Sequence, residues 1–232
     1  MKFENTQVFG LENAILGMRL PMCKDLSDAM RKSDSKYEVP PYCDTKFIVG
    51  EDDLKIAKTL INADSTGGGQ PNSKFLRMIH VQVAITAPLY FFKEMDTYKV
   101  GTVANSTSTM HKLASTPITL DCFEMDDFKG VNIDCVSQYV ENNCDWWAYV
   151  INSCEYLRQK YNETKDKRYW KELIRLLPES WLQTRMFDCD YATLRNIYKW
   201  RKNHKLTEWH KFCDWIKELP YAEYLLTDEV EE

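Results

Sequence analysis

The chain has 232 residues with 44% hydrophobic and 13% aromatic content, enough to bury a sizeable core and better suited to one large domain than to two small ones. A formal net charge of -5 argues against a protein whose main partner is the phosphate backbone of nucleic acid, which calls for a cationic face, although a local basic pocket is compatible with it. The cysteines (Cys23, Cys43, Cys122, Cys135, Cys144, Cys154, Cys189, Cys213) form no C-x-x-C pair, and His80, His111, His204 and His210 have no zinc-type spacing beside them. They read as reduced, structural cysteines with no metal. The start, MKFENTQVFG, lacks the basic flank and apolar core of a secretory signal, and no run approaches the roughly 20 apolar residues of a membrane span. The expectation is a soluble cytoplasmic protein without a membrane or nucleic-acid partner.

In chain order, a short apolar and polar alternation leads into GLENAILGMRL, where Leu11, Ala14, Ile15 and Met18 recur at helical spacing. Residues 21–50, with Pro21, Pro40 and Pro41, read as an irregular connection ending in the strand-like Phe47-Ile48-Val49. EDDLKIAKTLINA from Glu51 is a helix, with acids in the first turn where the dipole favours them and Leu54, Ile56, Ala57, Leu60 and Ile61 as its apolar face. The glycines between Asp64 and Pro71 are followed by no Lys-Ser/Thr, so a flexible linker is expected there, not a triphosphate loop. Crowded apolar residues from Phe75 to Ile79, then Val81, Val83 and Ile85 in alternation, predict a helical turn entering a strand.

The stretch Ile85 to Leu113 organises the rest. It opens with Ala87-Pro88 and the apolar run Leu89, Tyr90, Phe91, Phe92, then places Lys93, Glu94, Asp96, Tyr98 and Lys99 close together before Thr102, Asn105, Ser106, Thr107, Ser108 and Thr109. Its first half has the apolar density of a core anchor, and its second offers hydroxyl and amide groups suited to a polar ligand such as a phosphate or a base. Composition alone favours a helix end followed by an ordinary Ser/Thr-rich loop, and the order of the groups is what argues for a binding segment. Residues 114–140 mix turn formers, acids and short apolar runs, consistent with an insertion or lid. Beyond Glu141, Trp147, Val150, Ile151, Cys154, Leu157 and Tyr161 predict a long amphipathic helix, and Asp166 caps a second helix that Pro178 ends.

The order of groups in this stretch resembles the signature region of the flavin-dependent thymidylate synthases (ThyX). That family carries Ala-Pro, four apolar residues, Arg-Gln-aromatic, then Arg-His-Arg-x-x-Ser-x-Asn-Glu-x-Ser-x-Arg-Tyr. Laid without gaps, the first Arg and Gln fall on Lys93 and Glu94 and the Arg-His-Arg on Thr97, Tyr98 and Lys99. The first Ser falls on Thr102, the Asn-Glu on Ala104 and Asn105, the second Ser on Thr107, and the Arg-Tyr on Thr109 and Met110. The family's upstream Glu-His falls on Arg77 and Met78; His80, two residues on, reads either as a substitute or, as a lone His in an apolar context, as a structural residue. A later block, Asn-x-Arg-Ser-Leu-x-Asn-Phe-Leu-x-x-Arg, falls on DYATLRNIYKWR after Leu177-Pro178: Asn on Asp190, Arg on Ala192, Ser on Thr193, Leu on Leu194, Asn on Asn196 and Arg on Arg201. The Ala-Gln-Trp-Glu element is similar to Leu206-Thr207-Glu208-Trp209.

The resemblance implies a single α+β domain over residues 1–232 with a ThyX-like fold, an antiparallel or mixed sheet and long packed helices. It implies reductive methylation at C5 of dUMP or a related pyrimidine nucleotide with FAD, and NADPH and methylene-tetrahydrofolate as co-substrates, at the subunit interfaces of a homotetramer. Arg201 is the expected catalytic cation. Tyr98, Lys99, Asp190 and Asn196 are the expected flavin contacts, and Lys93, Glu94, Asn105, Thr107, Ser108, Thr109 and Arg175 the substrate set. Glu94 and Thr109 depart from the family's pattern by adding an anion and removing a cation, and an acid repels phosphate. Two further readings stand beside this one. One is a ThyX-fold nucleotide-binding or assembly protein without flavin. The other is an α+β interaction domain whose Ser/Thr-rich loop is incidental.

Overall fold

The computed structural model describes residues 1–39, 45–64, 71–125 and 146–227. The linker expected at 65–70 and residues 126–140 of the expected insertion lie outside them. Strands β1 (Lys2–Phe9), β4 (His80–Pro88), β6 (Leu182–Asp190) and β5 (Thr102–Ser106) form a four-stranded sheet in the order β1-β4-β6-β5. Thr86 faces Thr184 and His80 faces Asp188. The two pairs run in opposite senses along the chain, as antiparallel β4 and β6 require. A two-stranded antiparallel sheet pairs β2 (Lys36–Glu38) with β3 (Lys46–Ile48), Tyr37 opposite Phe47. The chain divides into two compact units.

One unit holds residues 3–84, 98–104 and 187–232. Gly10, at φ 85°, turns β1 into helix α1 (Leu11–Arg19). A Cβ there would lie 2.2 Å from the Met78 carbonyl oxygen, so this entry needs glycine. Helix α1 buries Ala14, Ile15 and Met18, the residues its spacing selects. The connection after it is not wholly irregular. Asp25 accepts from the Asp28 N–H and starts helix α2 (Leu26–Lys32). Helix α3 (Glu51–Asp64) begins where the Asp34 carboxylate accepts from the N–H groups of Asp52 and Asp53. Asp53 itself is fully buried, and Arg19, Ser33 and Ser35 all donate to its carboxylate, which is what permits a charge in that place. The 3-10 turn at Ser73–Met78 buries Phe75 and Leu76 ahead of β4. Helices α8 (Tyr191–Arg201), α9 (Thr207–Lys217) and α10 (Ala222–Leu225) complete the unit. Phe3 stacks on Trp215 at 5.2 Å, and Trp209, Phe212 and Trp215 are buried in contact along α9.

The other unit holds residues 1–2, 85–97 and 105–186. Pro88 ends β4, and helix α4 (Leu89–Met95) follows at once with Phe91, Phe92 and Met95 buried. Its first N–H groups, at Leu89 and Tyr90, donate to the carbonyls of Trp181 and Glu179, satisfying donors that a helix start leaves open. Helix α5 (Thr109–Lys112), helix α6 (Trp146–Thr164) and helix α7 (Lys167–Leu176) follow. Asp166 caps α7 through the Arg168 N–H. The core here is Leu113, Ile118, Phe123, Val150, Cys154 and Leu173, with Phe123 edge-on to Trp181 at 5.5 Å. Residues 114–125 therefore contribute directly to this core through Ile118 and Phe123. Among the described residues no helix is long and apolar enough to cross a membrane.

Candidate functional site

Helix α8 is set by Asp190, whose carboxylate accepts from the Thr193 N–H at 2.7 Å. Tyr191 anchors the same end, its hydroxyl donating to the Pro220 carbonyl at 2.9 Å while burial pushes its phenol pKa upward. Leu194, Ile197 and Tyr198 turn into the core. Asn196, on the solvent side, accepts from the Trp200 indole N–H at 3.1 Å, and that indole is exposed. At the last turn stands Arg201, half-buried. Its Nε donates to the Tyr98 hydroxyl at 2.8 Å. Its guanidinium carbon lies 4.7 Å from the centroid of the Trp209 ring and 5.4 Å from that of Tyr98, within cation–π range of both. Tyr98 and Trp209 meet edge to face at 6.0 Å, and Trp209 is fully buried. The cation thus rests in a corner made of two aromatic side chains.

Two expected residues are thereby joined, Arg201 with Tyr98. Asp190 is nearly buried and lies against the same turn of chain: a Cβ on Gly101 would come within 3.0 Å of its Oδ2 and 2.8 Å of the Thr193 hydroxyl. Lys99 is exposed. His80 places Nδ1 3.2 Å from an Asp188 carboxylate oxygen. Trp209 and Gly101 carry no expectation from sequence as partners of α8. Their signal is an aromatic eight residues beyond Arg201 and a glycine two beyond Lys99, neither of which is distinctive alone.

The hydroxyl-rich stretch lies in the other unit. The Thr107 N–H donates to the Thr184 carbonyl at 2.9 Å, and its Oγ1 accepts from the Thr184 N–H at 3.3 Å. Ser108 caps α5 by accepting from the His111 N–H, and Thr109 is the first residue of that helix. Asn105 is exposed on β5. Each hydroxyl that accepts here still carries a proton to donate. On α4, Lys93 pairs with Glu179 at 2.6 Å, while the Glu94 carbonyl accepts from the Thr97 hydroxyl and N–H. Arg175 pairs with Glu172 within α7 at 3.0 Å.

Sequence reading does not find Arg185 and Gln183, which β6 places on one face, two residues apart. The Gln183 amide donates to the Thr107 carbonyl at 2.8 Å and its oxygen accepts from Arg185 Nε at 2.9 Å. Arg185 also donates to Asp96 at 2.7 Å and lies 4.1 Å over the Phe92 ring. A fixed cation is thus wired to the hydroxyl-bearing stretch. Among the described residues no group of three His, Cys, Asp or Glu side chains could hold a metal ion.

No family model and no curated protein sequence matches the chain. Solved structures do. Over 100% of both chains, at 17% identity and a TM-score of 0.65, it is similar to the flavin-dependent thymidylate synthase ThyX from Helicobacter pylori complexed with FAD and dUMP. A second structure of that enzyme with FAD and dUMP is matched over 98% of each chain, with a TM-score of 0.63 at 17% identity. The UMP/dUMP methylase PolB from Streptomyces cacaoi bound with 5-Br dUMP is similar over 96% of this chain and 91% of its own, with a TM-score of 0.53 at 11% identity. With α+β architecture, antiparallel strands and correspondence along the whole chain, this protein has the fold of the flavin-dependent thymidylate synthases.

Proposed function

We propose that the chain is a divergent ThyX-like enzyme that binds a pyrimidine nucleotide and a flavin and methylates C5 of the base reductively. The observation that carries this reading is Arg201, a cation seated at the end of α8 between Tyr98 and Trp209. Methylation at C5 builds negative charge on the pyrimidine carbonyls, and a preorganised guanidinium in a partly dry site is the group suited to stabilise it. Full-length likeness to proteins solved with FAD and dUMP supports the assignment.

The donor set fits a flavin in part. Exposed Lys99 suits an anionic diphosphate, the exposed Asn196 amide suits polar ring edges, and the Tyr98 ring offers an aromatic face. Asp190 is assigned to positioning α8, since its carboxylate is buried against Thr193 and Gly101. The bound flavin would supply hydride chemistry, with NADPH and methylene-tetrahydrofolate as co-substrates. In the other unit, Lys93, Arg175 and the Thr107, Ser108 and Thr109 hydroxyls are assigned to phosphate, and Asn105 and Glu94 to sugar or base donors and acceptors. A homotetramer in the cytoplasm belongs to the same reading.

A second reading, nucleotide binding without flavin, is favoured by one observation: the Tyr98 hydroxyl and ring both already engage Arg201. A visible absorbance spectrum, recorded as purified and again after FAD addition and gel filtration, separates the two. Retained flavin supports the enzyme. A colourless protein whose melting temperature rises with dUMP supports the second reading, and no response to either ligand refutes both.

A further inference from the structure

Thr193, Ile197 and Arg201 are spaced by four along α8 and lie on one face. The turn from Tyr98 to Thr102 is laid against that face at two points. Gly101, at φ 76°, is pressed so closely on the first turn of the helix that a Cβ would come 2.8 Å from Thr193 Oγ1 and 3.0 Å from Asp190 Oδ2. At the last turn the Tyr98 hydroxyl accepts from Arg201 Nε. The turn is closed on itself, because the Thr102 hydroxyl donates to the Tyr98 carbonyl at 2.6 Å. The two points of contact with α8 thus belong to one short, hydrogen-bonded loop. Thr193 and Arg201 are about 12 Å apart along the axis, at 1.5 Å per residue.

We infer that the Tyr98–Thr102 turn is a positioning clamp for Arg201, in which Tyr98 orients the guanidinium against the Trp209 plate and Gly101 seats the clamp from the far end of the helix. With Nε donating to Tyr98 and the guanidinium carbon 4.7 Å from the Trp209 centroid, the planar group is oriented from two sides. Only a residue without Cβ, free to adopt positive φ, lets the turn approach α8 this closely. What Arg201 then binds rests on the function proposed above; the clamp itself does not.

The test reads the clamp without ligand. In the intact protein, the Arg201 Nε–H is followed by NMR against that of Arg31, whose side chain is 77% exposed and pairs with Asp28 through a terminal nitrogen. Slow exchange is expected for Arg201 in the unchanged protein, and fast exchange in both Tyr98→Phe and Gly101→Ala. Circular dichroism reports whether each variant keeps its fold, and Tyr98→Phe, which removes a single oxygen, keeps the test decisive where Gly101→Ala fails to fold. In parallel, dUMP affinity should fall about tenfold in each variant, the effect of one lost hydrogen bond to a charged group, with the double variant no weaker than the worse single. Arg201 exchange that is fast in the unchanged protein, or slow in Tyr98→Phe, overturns the clamp. Slow exchange lost in Tyr98→Phe, in a protein that does not bind dUMP, upholds the clamp while refuting the proposed function.

Discussion

Replacing Glu155 by Gln tests how the core of residues 114–125 is held to α6. The Glu155 carboxylate accepts from Arg158 at 2.6 and 2.7 Å and from the Ile118 N–H at 2.8 Å. Arg158 and Asn162 in turn donate to the Ala114 carbonyl at 3.4 and 2.9 Å. One carboxylate therefore pins both ends of the 114–118 segment, directly and through its guanidinium partner. Hydrogen bonding from Arg158, opposed by burial and helped by the Ile118 N–H, holds its pKa at about 2, below the ordinary 4.5. A depression of that size corresponds to about 3 kcal/mol, and solvent access to a fifth of the side chain trims it to about 2 kcal/mol. Because the folded-state pKa is the lower one, this stability is present above about pH 4.5 and is lost as pH falls towards 2. Urea unfolding should find Glu155→Gln about 2 kcal/mol less stable near neutral pH, with the gap narrowing as acid protonates the unchanged protein. A gap that stays constant across that window would refute the assignment of the stability to the ionised carboxylate.

Leu173→Ala, in a fully buried position of the same core, should cost about 2–5 kcal/mol in unfolding free energy. Asp166→Ala should remove about 1 kcal/mol by leaving the α7 N-terminus uncapped, read as a lower unfolding midpoint with unchanged slope. The double change Thr107→Ala with Thr109→Ala should weaken nucleotide affinity more than it lowers the melting temperature; an equal loss of both returns the stretch to a structural role. Arg201→Ala should abolish nucleotide-dependent NADPH oxidation, and unchanged turnover would remove Arg201 from the chemistry.

Much of the architecture is legible in the sequence because its signals are local. The α3, α6 and α7 helices follow from period and caps, with Asp166 doing at α7 what its position predicts. Helix α2 escapes notice because its apolar residues do not make a buried stripe: Leu26 and Met30 are exposed, and it is set up by Asp25 and Asp28. Arg201 and Tyr98 lie far apart in sequence, in two separate motifs, and the hydrogen bond joining them is a tertiary fact no spacing rule contains. Arg185 is similarly invisible. An alternating strand offers many polar residues, and only the partner strands decide which of them meets Thr107.

The cations Lys93, Arg175 and Arg185, in the unit that holds the hydroxyl-rich stretch, differ in how readily they can serve an anion. Lys93 and Arg175 sit in ion pairs whose members are all more than half exposed, and such pairs are worth about 0–1 kcal/mol. An arriving phosphate, carrying more charge than one carboxylate, can take either cation from its partner at little cost. Arg185 is different: it is 18% exposed, bonded to Asp96 and Gln183, and stacked on Phe92. Hydrogen bonds to charged groups contribute about 1.5–3 kcal/mol each, so Arg185 acts from where it stands. Through Gln183 it is fixed to the Thr107 carbonyl, the same residue whose hydroxyl is assigned to the nucleotide. On the proposed reading, the salt dependence of nucleotide binding comes mainly through Lys93 and Arg175, since exposed charges are the ones that ions screen. Removing either exposed cation should flatten the salt dependence of nucleotide affinity, whereas Arg185→Met should lower affinity and leave that slope in place.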